Sequence, residues 1–340
     1  MMAITEWAAE GPRPTFSLYV TAPRSRRSLQ IVGAAADLVG AVTVAGPKGP
    51  EVMRRQRDSG LDCSVLFDGM GYADSGVPAP ADWVTVQRAA GADRPLLPGV
   101  FLEWDRNDNT AFLLAIGEQS RIARGLDAAQ LFAIDVRWIA RKPEVVVDAL
   151  MSTNEPAALV LVHRDDPLSD PRAIQGLRRV VQQVNRTSLL RSDHGAIGAL
   201  AFGAEHASVG LKTSTRHYAP PGKGARRRPG QSARLFVRPL IDWFLASDVA
   251  GWTAAGEAIV CNLPCCHGQS LARFLDPDLD ADWHNMNALA DLADYVINAP
   301  ESDRASEFLS QCQSATSWYN LAGFNGPEKP KAQLTGWVLS

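Results

Sequence analysis

Cys261, Cys265 and Cys266 fall within six residues of one another in the run IVCNLPCCH, and His284 follows in WHNMNAL. Thiolate and imidazole are the ligands of a tetrahedral zinc site, and an apolar stretch entering a tight Asn-Leu-Pro turn would aim several sulfurs at one point. Adjacent cysteines strain such a site, so His267 is an alternative ligand, and three buried structural thiols are the plain reading. Cys63 and Cys312 read as ordinary core or surface residues. A second group of reactive side chains follows short β-type runs: Asp68, Glu103 with Asp105, Asp135 with Arg137, His163 with Arg164, and Arg191 with Asp193 and His194. Carboxylates suit proton transfer or stabilisation of positive charge, and Arg or His suit a leaving group that gains negative charge. Asp68 opens a Gly69-Met70-Gly71 loop small enough to let a flat ligand approach the backbone. The third feature is charge: residues 211–238 hold eight Lys or Arg and no acid, whereas the chain beyond holds 4 basic and 13 acidic residues. Lys212, Arg216, Lys223, Arg226, Arg227 and Arg228, with Tyr218 among them, suit an extended arm that follows phosphates, the alternative being a solvated loop.

These residues need a frame. Eight short β-branched or aromatic runs alternate with helix-length segments up to about residue 211: FSLYV from Phe16, AVTVA from Ala41, SVLFD from Ser64, VFLEW from Val100, LFAIDV from Leu131, ALVLVH from Ala158, SLLR from Ser188 and HASVGL from His206. Between them lie helical patterns such as GEQSRIARGLDAA and DPRAIQGLRRVVQQVN, the second opened by Asp170 as cap and Pro171 at the first helical position. Residues 72–99, rich in Gly, Pro and Ala, read as a long loop in the fourth unit. Eight units in about 200 residues predict a compact (β/α)8 TIM-like barrel, with a doubly wound open sheet as competitor. The division expected is a barrel over 1–238, ending in the basic arm, and a zinc-bearing helical extension over 239–340. In such a barrel the strand-end residues named above share one rim.

With 340 residues, 46% hydrophobic and 21% charged, the composition is that of a folded globular chain, and the net charge of -3 argues against a wholly basic nucleic-acid binder. No stretch reaches the roughly 18 apolar residues of a membrane span, and MMAITEWAAEGPRP lacks the basic flank and apolar run of an export signal, so a cytoplasmic protein is expected. No phosphate loop or dinucleotide fingerprint occurs.

The ordered series resembles the tRNA-guanine transglycosylase superfamily, barrel enzymes that exchange a nucleobase and carry a structural zinc site. Asp68-Gly69-Met70-Gly71-Tyr72 is similar to that family's loop with an essential aspartate. Asp135 is similar to its base-recognising aspartate, Gly198 to Gly203 (GALAFG) to its base-binding backbone segment, and CNLPCCHGQSLARFL with His284-Asn285-Met286 to its zinc element. The family's late-strand nucleophilic aspartate has no counterpart: Ala207-Ser208 stand there, and no Asp or Glu occurs from His206 to Ile241. The resemblance implies a zinc-stabilised barrel that cleaves or exchanges an N-glycosidic bond in tRNA or DNA. Asp68 would face the sugar, Asp135 would read the base and Asp193 would be a second carboxylate. Arg137, His163, Arg191, His194, Gly198 and Gly203 would contact the substrate, and a homodimer or a partner protein is compatible with it. Two other functions stand beside it. One is a non-catalytic nucleic-acid-binding barrel, and the other a metal-dependent hydrolase using His163, Asp193 and His194.

Overall fold

The computed structural model of the chain describes residues 13–21, 26–73, 76–220, 233–254, 257–276 and 279–339. Its eight principal strands are β1 (Thr15–Thr21), β2 (Ala41–Ala45), β3 (Ser64–Asp68), β4 (Val100–Leu102), β5 (Gln130–Asp135), β6 (Ala157–Val162), β7 (Thr187–Ser192) and β8 (His206–Gly210). They pair in parallel in the order β3-β2-β1-β8-β7-β6-β5-β4, so the first strand lies against the last and the sheet curls into the expected barrel. The seam between β3 and β4 carries no strand ladder and is bridged by the chain leading into β4. Val65 and Asp93 exchange bonds there, Asp93 N–H to Val65 O at 3.2 Å and Val65 N–H to the Asp93 carboxylate at 2.9 Å. Nearer the strand ends, Gly71 N–H donates to Pro98 O at 2.8 Å. A Cβ on Gly71 would lie 2.8 Å from that same oxygen, so the closure requires glycine.

Alternate residues of each strand point inward and fill the barrel. One side of the filling is apolar, built from Leu66, Leu131, Ala133, Ala158, Val160, Val162 and Leu190. The other is polar: Ser17 Oγ lies 2.8 Å from Thr43 Oγ1 and 2.9 Å from His206 Nε2. The hydroxyls of β1 and β2 thus pair with each other and with one ring nitrogen of His206 in the buried interior.

The helices are α1 (Arg26–Val39), α2 (Gly49–Asp58), α3 (Pro80–Ala89), α4 (Thr110–Leu126), α5 (Val136–Arg141), α6 (Pro143–Thr153), α7 (Pro171–Gln183), α8 (Gly195–Ala201) and α9 (Thr213–Arg216). Asp170 caps α7 as expected, accepting Arg172 N–H at 3.0 Å. The segment predicted as a loop over 72–99 contains α3. Pro80 starts that helix without losing a needed N–H, and wholly buried Trp83 anchors it. β4 stops at Leu102, two residues short of the expected run, because Glu103 already turns outward into the loop before α4.

Beyond the barrel, β9 (Arg234–Val237) and β10 (Asp242–Leu245) form an antiparallel pair, so residue 238 lies inside a hairpin. Then come α10 (Ala246–Val249) and two short pairs, β11 (Thr253–Ala254) with β12 (Glu257–Ala258), and β13 (Val260–Cys261) with β14 (Gln269–Ser270). The chain ends in α11 (Ala281–Ile297), α12 (Arg304–Trp318) and α13 (Ala332–Leu339). α11 packs on α1 and α8, and α13 on α7 and α12. One hydrophobic core runs across barrel and extension.

Candidate active site and metal centre

Asp68, the last residue of β3, is wholly buried. Its Oδ2 accepts the Tyr19 hydroxyl at 2.5 Å and the Tyr72 hydroxyl at 2.6 Å, and its Oδ1 accepts Met70 N–H at 2.8 Å. Burial, then the neighbouring carboxylate, push both phenols well above their usual range and keep them protonated as donors. Arg191 joins from β7, where the pairing with β8 shifts register between Leu189 and Ser192 and Arg191 takes the left-handed φ of 53°. This bulge re-aims the side chain. Its guanidinium lies 5.0 Å from the Tyr218 ring centre and donates to Tyr72 Oη at 3.3 Å and Ser214 O at 2.9 Å. Burial opposes the Arg191 charge, but Tyr19, Tyr72 and Asp68 outweigh it and raise its pKa. The expected role of Asp68 at the sugar is corrected by this geometry: both oxygens are engaged and no surface remains for a substrate. Asp68 holds the tyrosines, and through Tyr72 it positions Arg191.

Asp135 is likewise engaged. It caps α5 through Arg137 N–H at 3.0 Å and is clamped by Arg137 Nε at 2.9 Å and Nη2 at 2.7 Å. These three bonds commit the carboxylate to its own helix and to Arg137, in place of the base-reading role expected of it. Arg137 itself keeps an exposed flank beside Trp104, 6.0 Å from the ring centre.

The loops after β6 and β7 behave differently. Asp193 accepts Gly195 N–H at 3.0 Å and the Gln333 amide at 2.8 Å, both through Oδ1. Burial works to raise its pKa, and His194, Gln333, Gly195 and Arg216 outweigh burial and hold the carboxyl below the usual range. Nearby Asp166 is pushed up to about 8 by burial and then by the charge of Asp193, with Asp242 adding to the rise. The two carboxyls therefore differ in proton affinity, one ionised and one protonated at neutral pH. Such a split is the one that an acid and base pair requires. Lys331 reaches in from the extension to Asp242 Oδ1 and Trp243 O, each at 2.7 Å.

Other expected site residues serve structure. His163 is half-buried at the mouth, its Nδ1 accepting Asp165 N–H at 3.2 Å and its N–H donating to Tyr218 O at 2.9 Å. His194 is buried beside Phe236, with neither ring nitrogen partnered among the described residues. His163, Asp193 and His194 do not gather as a ligand set: among the described residues the Cys261, Cys265, Cys266 and His284 group alone does so. Gly198 lies inside α8, where a Cβ would meet Trp337 at 2.6 Å, and Gly203 takes a φ of 117° just after that helix. These two glycines serve close packing and chain reversal, so the expected backbone amides for a base are absent from this segment. Lys212 pairs with Asp282 of α11, and Arg216 is buried with its guanidinium 3.6 Å from the Trp243 ring centre, where burial drives it down to about 9. Both cations tie the barrel to its extension instead of facing phosphates. Lys223, Arg226, Arg227 and Arg228 lie outside the described residues.

The four expected ligands come together in one cluster. Cys261 leaves β13, Cys265 and Cys266 sit in the turn before β14, and His284 stands in the first turns of α11; their ligand atoms all lie within 4.8 Å of one another. His284 Nδ1 is 3.3 Å from Cys266 Sγ and 3.7 Å from Cys261 Sγ, and Cys265 Sγ is 3.5 Å from Cys266 Sγ. His284 Nε2 lies 3.1 Å from Phe236 O, so its proton belongs there and Nδ1 turns its lone pair to the sulfurs. Asn285 fixes the same helix to β9 by accepting Phe236 N–H at 2.7 Å and donating to Arg234 O at 2.8 Å. Burial raises Cys261 to about 11 and Cys265 to about 12. For Cys266 burial is overcome, chiefly by His284, which brings it to about 6. Four soft donors at tetrahedral spacing could hold a metal ion. Both adjacent cysteines take part, and exposed His267 points elsewhere, with the turn absorbed by its φ of 50°.

No protein-family model matches this chain, and no curated protein does. Among solved structures it is similar to a mutant tryptophan synthase alpha-subunit from Pyrococcus furiosus, at 15% identity over 58% of this chain and 88% of that one, TM-score 0.41. It is similar to 3-hexulose-6-phosphate synthase, at 15% identity over 58% and 89%, TM-score 0.37. A type I 3-dehydroquinate dehydratase from Clostridium difficile matches at 9% identity over 61% and 88%, TM-score 0.38. Likeness this distant says nothing about activity. The resemblance to tRNA-guanine transglycosylases is overturned: these are barrels of other families, and no family model supports it.

Sequence reasoning missed Asp166, Tyr19, Lys331 and Gln333. Asp166 lies four residues past β6 in the polar run RDDPLSD, where nothing in the pattern separates it from Asp165. Tyr19 reads as a strand residue, and Gln333 approaches from 140 residues away.

Proposed function

We propose that the mouth of this barrel breaks or exchanges an N-glycosidic bond in a nucleic-acid substrate, with Asp166 as proton donor and Asp193 as the ionised carboxylate. The observation that carries the reading is the pair itself: two carboxyls on consecutive strand-end loops, Asp166 raised by burial and by the charge of Asp193, and Asp193 held low by His194, Gln333, Gly195 and Arg216 against its own burial. Loss of a base builds positive charge on the sugar, which a carboxylate stabilises by attack or through water, while the departing base takes a proton. Asp193 has the ionisation for the first task and Asp166 the proton for the second. Within residues 211–238, the charge of Lys223, Arg226, Arg227 and Arg228 supports a polyanionic substrate. Zinc is the metal that three thiols and an imidazole suit best, and here it would join the β13–β14 turn to α11, holding the extension that delivers Gln333 and Lys331. Metal analysis of the parent and Cys266→Ser proteins tests the zinc.

The enzymatic claim is tested by incubating the protein with tRNA and with modified and unmodified DNA, followed by mass spectrometry for free base. Release that survives in both Asp166→Asn and Asp193→Asn removes it. A second reading, a binding barrel without chemistry, is favoured by one observation: the run from His206 to Ile241, which carries β8, holds no carboxylate. It requires salt-dependent binding with no change in the nucleic acid.

A further inference from the structure

The opposite end of the barrel holds a cavity of about 140 Å³, ringed by the first residues of the strands, including Thr15, Ser64, Ala157 and His206. Two polar groups on its wall come from neighbouring strands in register, Ser188 of β7 and His206 of β8. Both residues are more than nine-tenths buried, and neither the Ser188 hydroxyl nor His206 Nδ1 has a partner among the described residues. The other ring nitrogen of His206 is engaged by two hydroxyls, Ser17 at 2.9 Å and Thr43 at 3.3 Å, themselves 2.8 Å apart. Thr43 donating to Ser17 and Ser17 to Nε2 satisfies that chain and leaves the imidazole proton on Nδ1, pointing into the cavity.

The charged groups facing this space are Arg94, Arg186, Asp93 and Glu205. Arg94 grips Glu205 with both guanidinium nitrogens, at 2.6 and 3.0 Å, at the half-exposed outer edge. Asp93 accepts from Ser64 and Val65, and exposed Arg186 donates to Asn154 O. The two acids are thus held by other partners. Burial and then Arg94 depress His206 to about 3, so the ring is a neutral donor in a positive local field.

We infer that this cavity is a binding site for a small carboxylate, whose oxygens accept from the Ser188 hydroxyl and His206 Nδ1–H while its charge lies near Arg94. A dry cavity of about 150 Å³ takes a ligand of about six non-hydrogen atoms, which sets the size at acetate to pyruvate. The site is separate from the mouth and does not depend on the glycosidic reading.

The test titrates the full chain with sodium acetate, and with acetamide as its uncharged isostere, following the His206 imidazole resonances and the melting temperature. Acetate is expected to shift the His206 signals saturably and raise Tm, acetamide to bind at least about tenfold more weakly, and Ser188→Ala to weaken acetate about tenfold with the fold unchanged by circular dichroism. Ser188→Val, which also fills the space, is expected to abolish the response. No saturable shift, equal effects of acetate and acetamide, or a full response in Ser188→Ala would each overturn the proposal and leave a cavity that holds water alone.

Discussion

Asp68 and Asp193 stand at the same end of the same barrel, one closing β3 and the other just past β7, yet their surroundings assign them opposite work. Asp68 accepts three donors, two of them tyrosines from different parts of the sheet, and presents nothing outward. Asp193 takes the Gly195 and Gln333 bonds on one oxygen and lies near a second carboxyl that burial and its own charge keep protonated. A strand-end carboxylate is therefore no evidence of chemistry until its donors are counted. Saturation makes a carboxylate structural, and an unequal neighbour makes it a candidate for proton transfer.

Four substitutions break or sharpen that contrast. The largest effect is expected on catalysis: Asp193→Asn lowers base release or exchange by about 10² to 10⁴-fold with little change in Tm, measured on the substrate that the parent converts. Next, Asp68→Ala strands two buried hydroxyls and an N–H, at about 1–3 kcal/mol for each unsatisfied group, so denaturant unfolding should show a loss of several kcal/mol. Equal stability losses at the two positions would erase the distinction.

The third probe is pH. Burial and then Asp193 push Asp166 up to about 8 in the folded chain, against about 4 for a free aspartate, so the folded state binds the proton more tightly. Its stabilising contribution is full below about pH 4 and is lost as pH rises toward 8. Asp166→Asn removes that loss, and the Tm of the variant relative to the parent should climb between these pH values. Activity of the parent should fall above about pH 8 as the donor ionises, while the acid limb lies below the ordinary carboxylate range because Asp193 is held low. A smaller effect is expected for Gly198→Ala, where the new methyl meets Trp337: about 1–3 kcal/mol of overpacking by thermal melts, and no change in activity per folded molecule.

The strand rhythm was legible because parallel strands buried on both faces are near-continuous apolar runs, and seven of the eight expected runs lie within a residue of the observed strands at each end. α3 was hidden because its stabilisation comes from Trp83 in the core, whereas its local composition reads as loop. The metal cluster was legible for the opposite reason, since three of its four ligands are neighbours in sequence. The basic segment misled at Lys212 and Arg216, whose partners Asp282 and Trp243 lie in the extension.

By itself the amino-acid order determined the periodic elements, their parallel winding and the set of sulfur and imidazole donors, because each depends on residues close along the chain. Only the tertiary structure decided which acids are saturated by donors and which differ in proton affinity. Proton affinity depends on burial and on charges a few ångströms away, and at Asp193 those neighbours include Gln333 from the far end of the chain, where no local pattern records them.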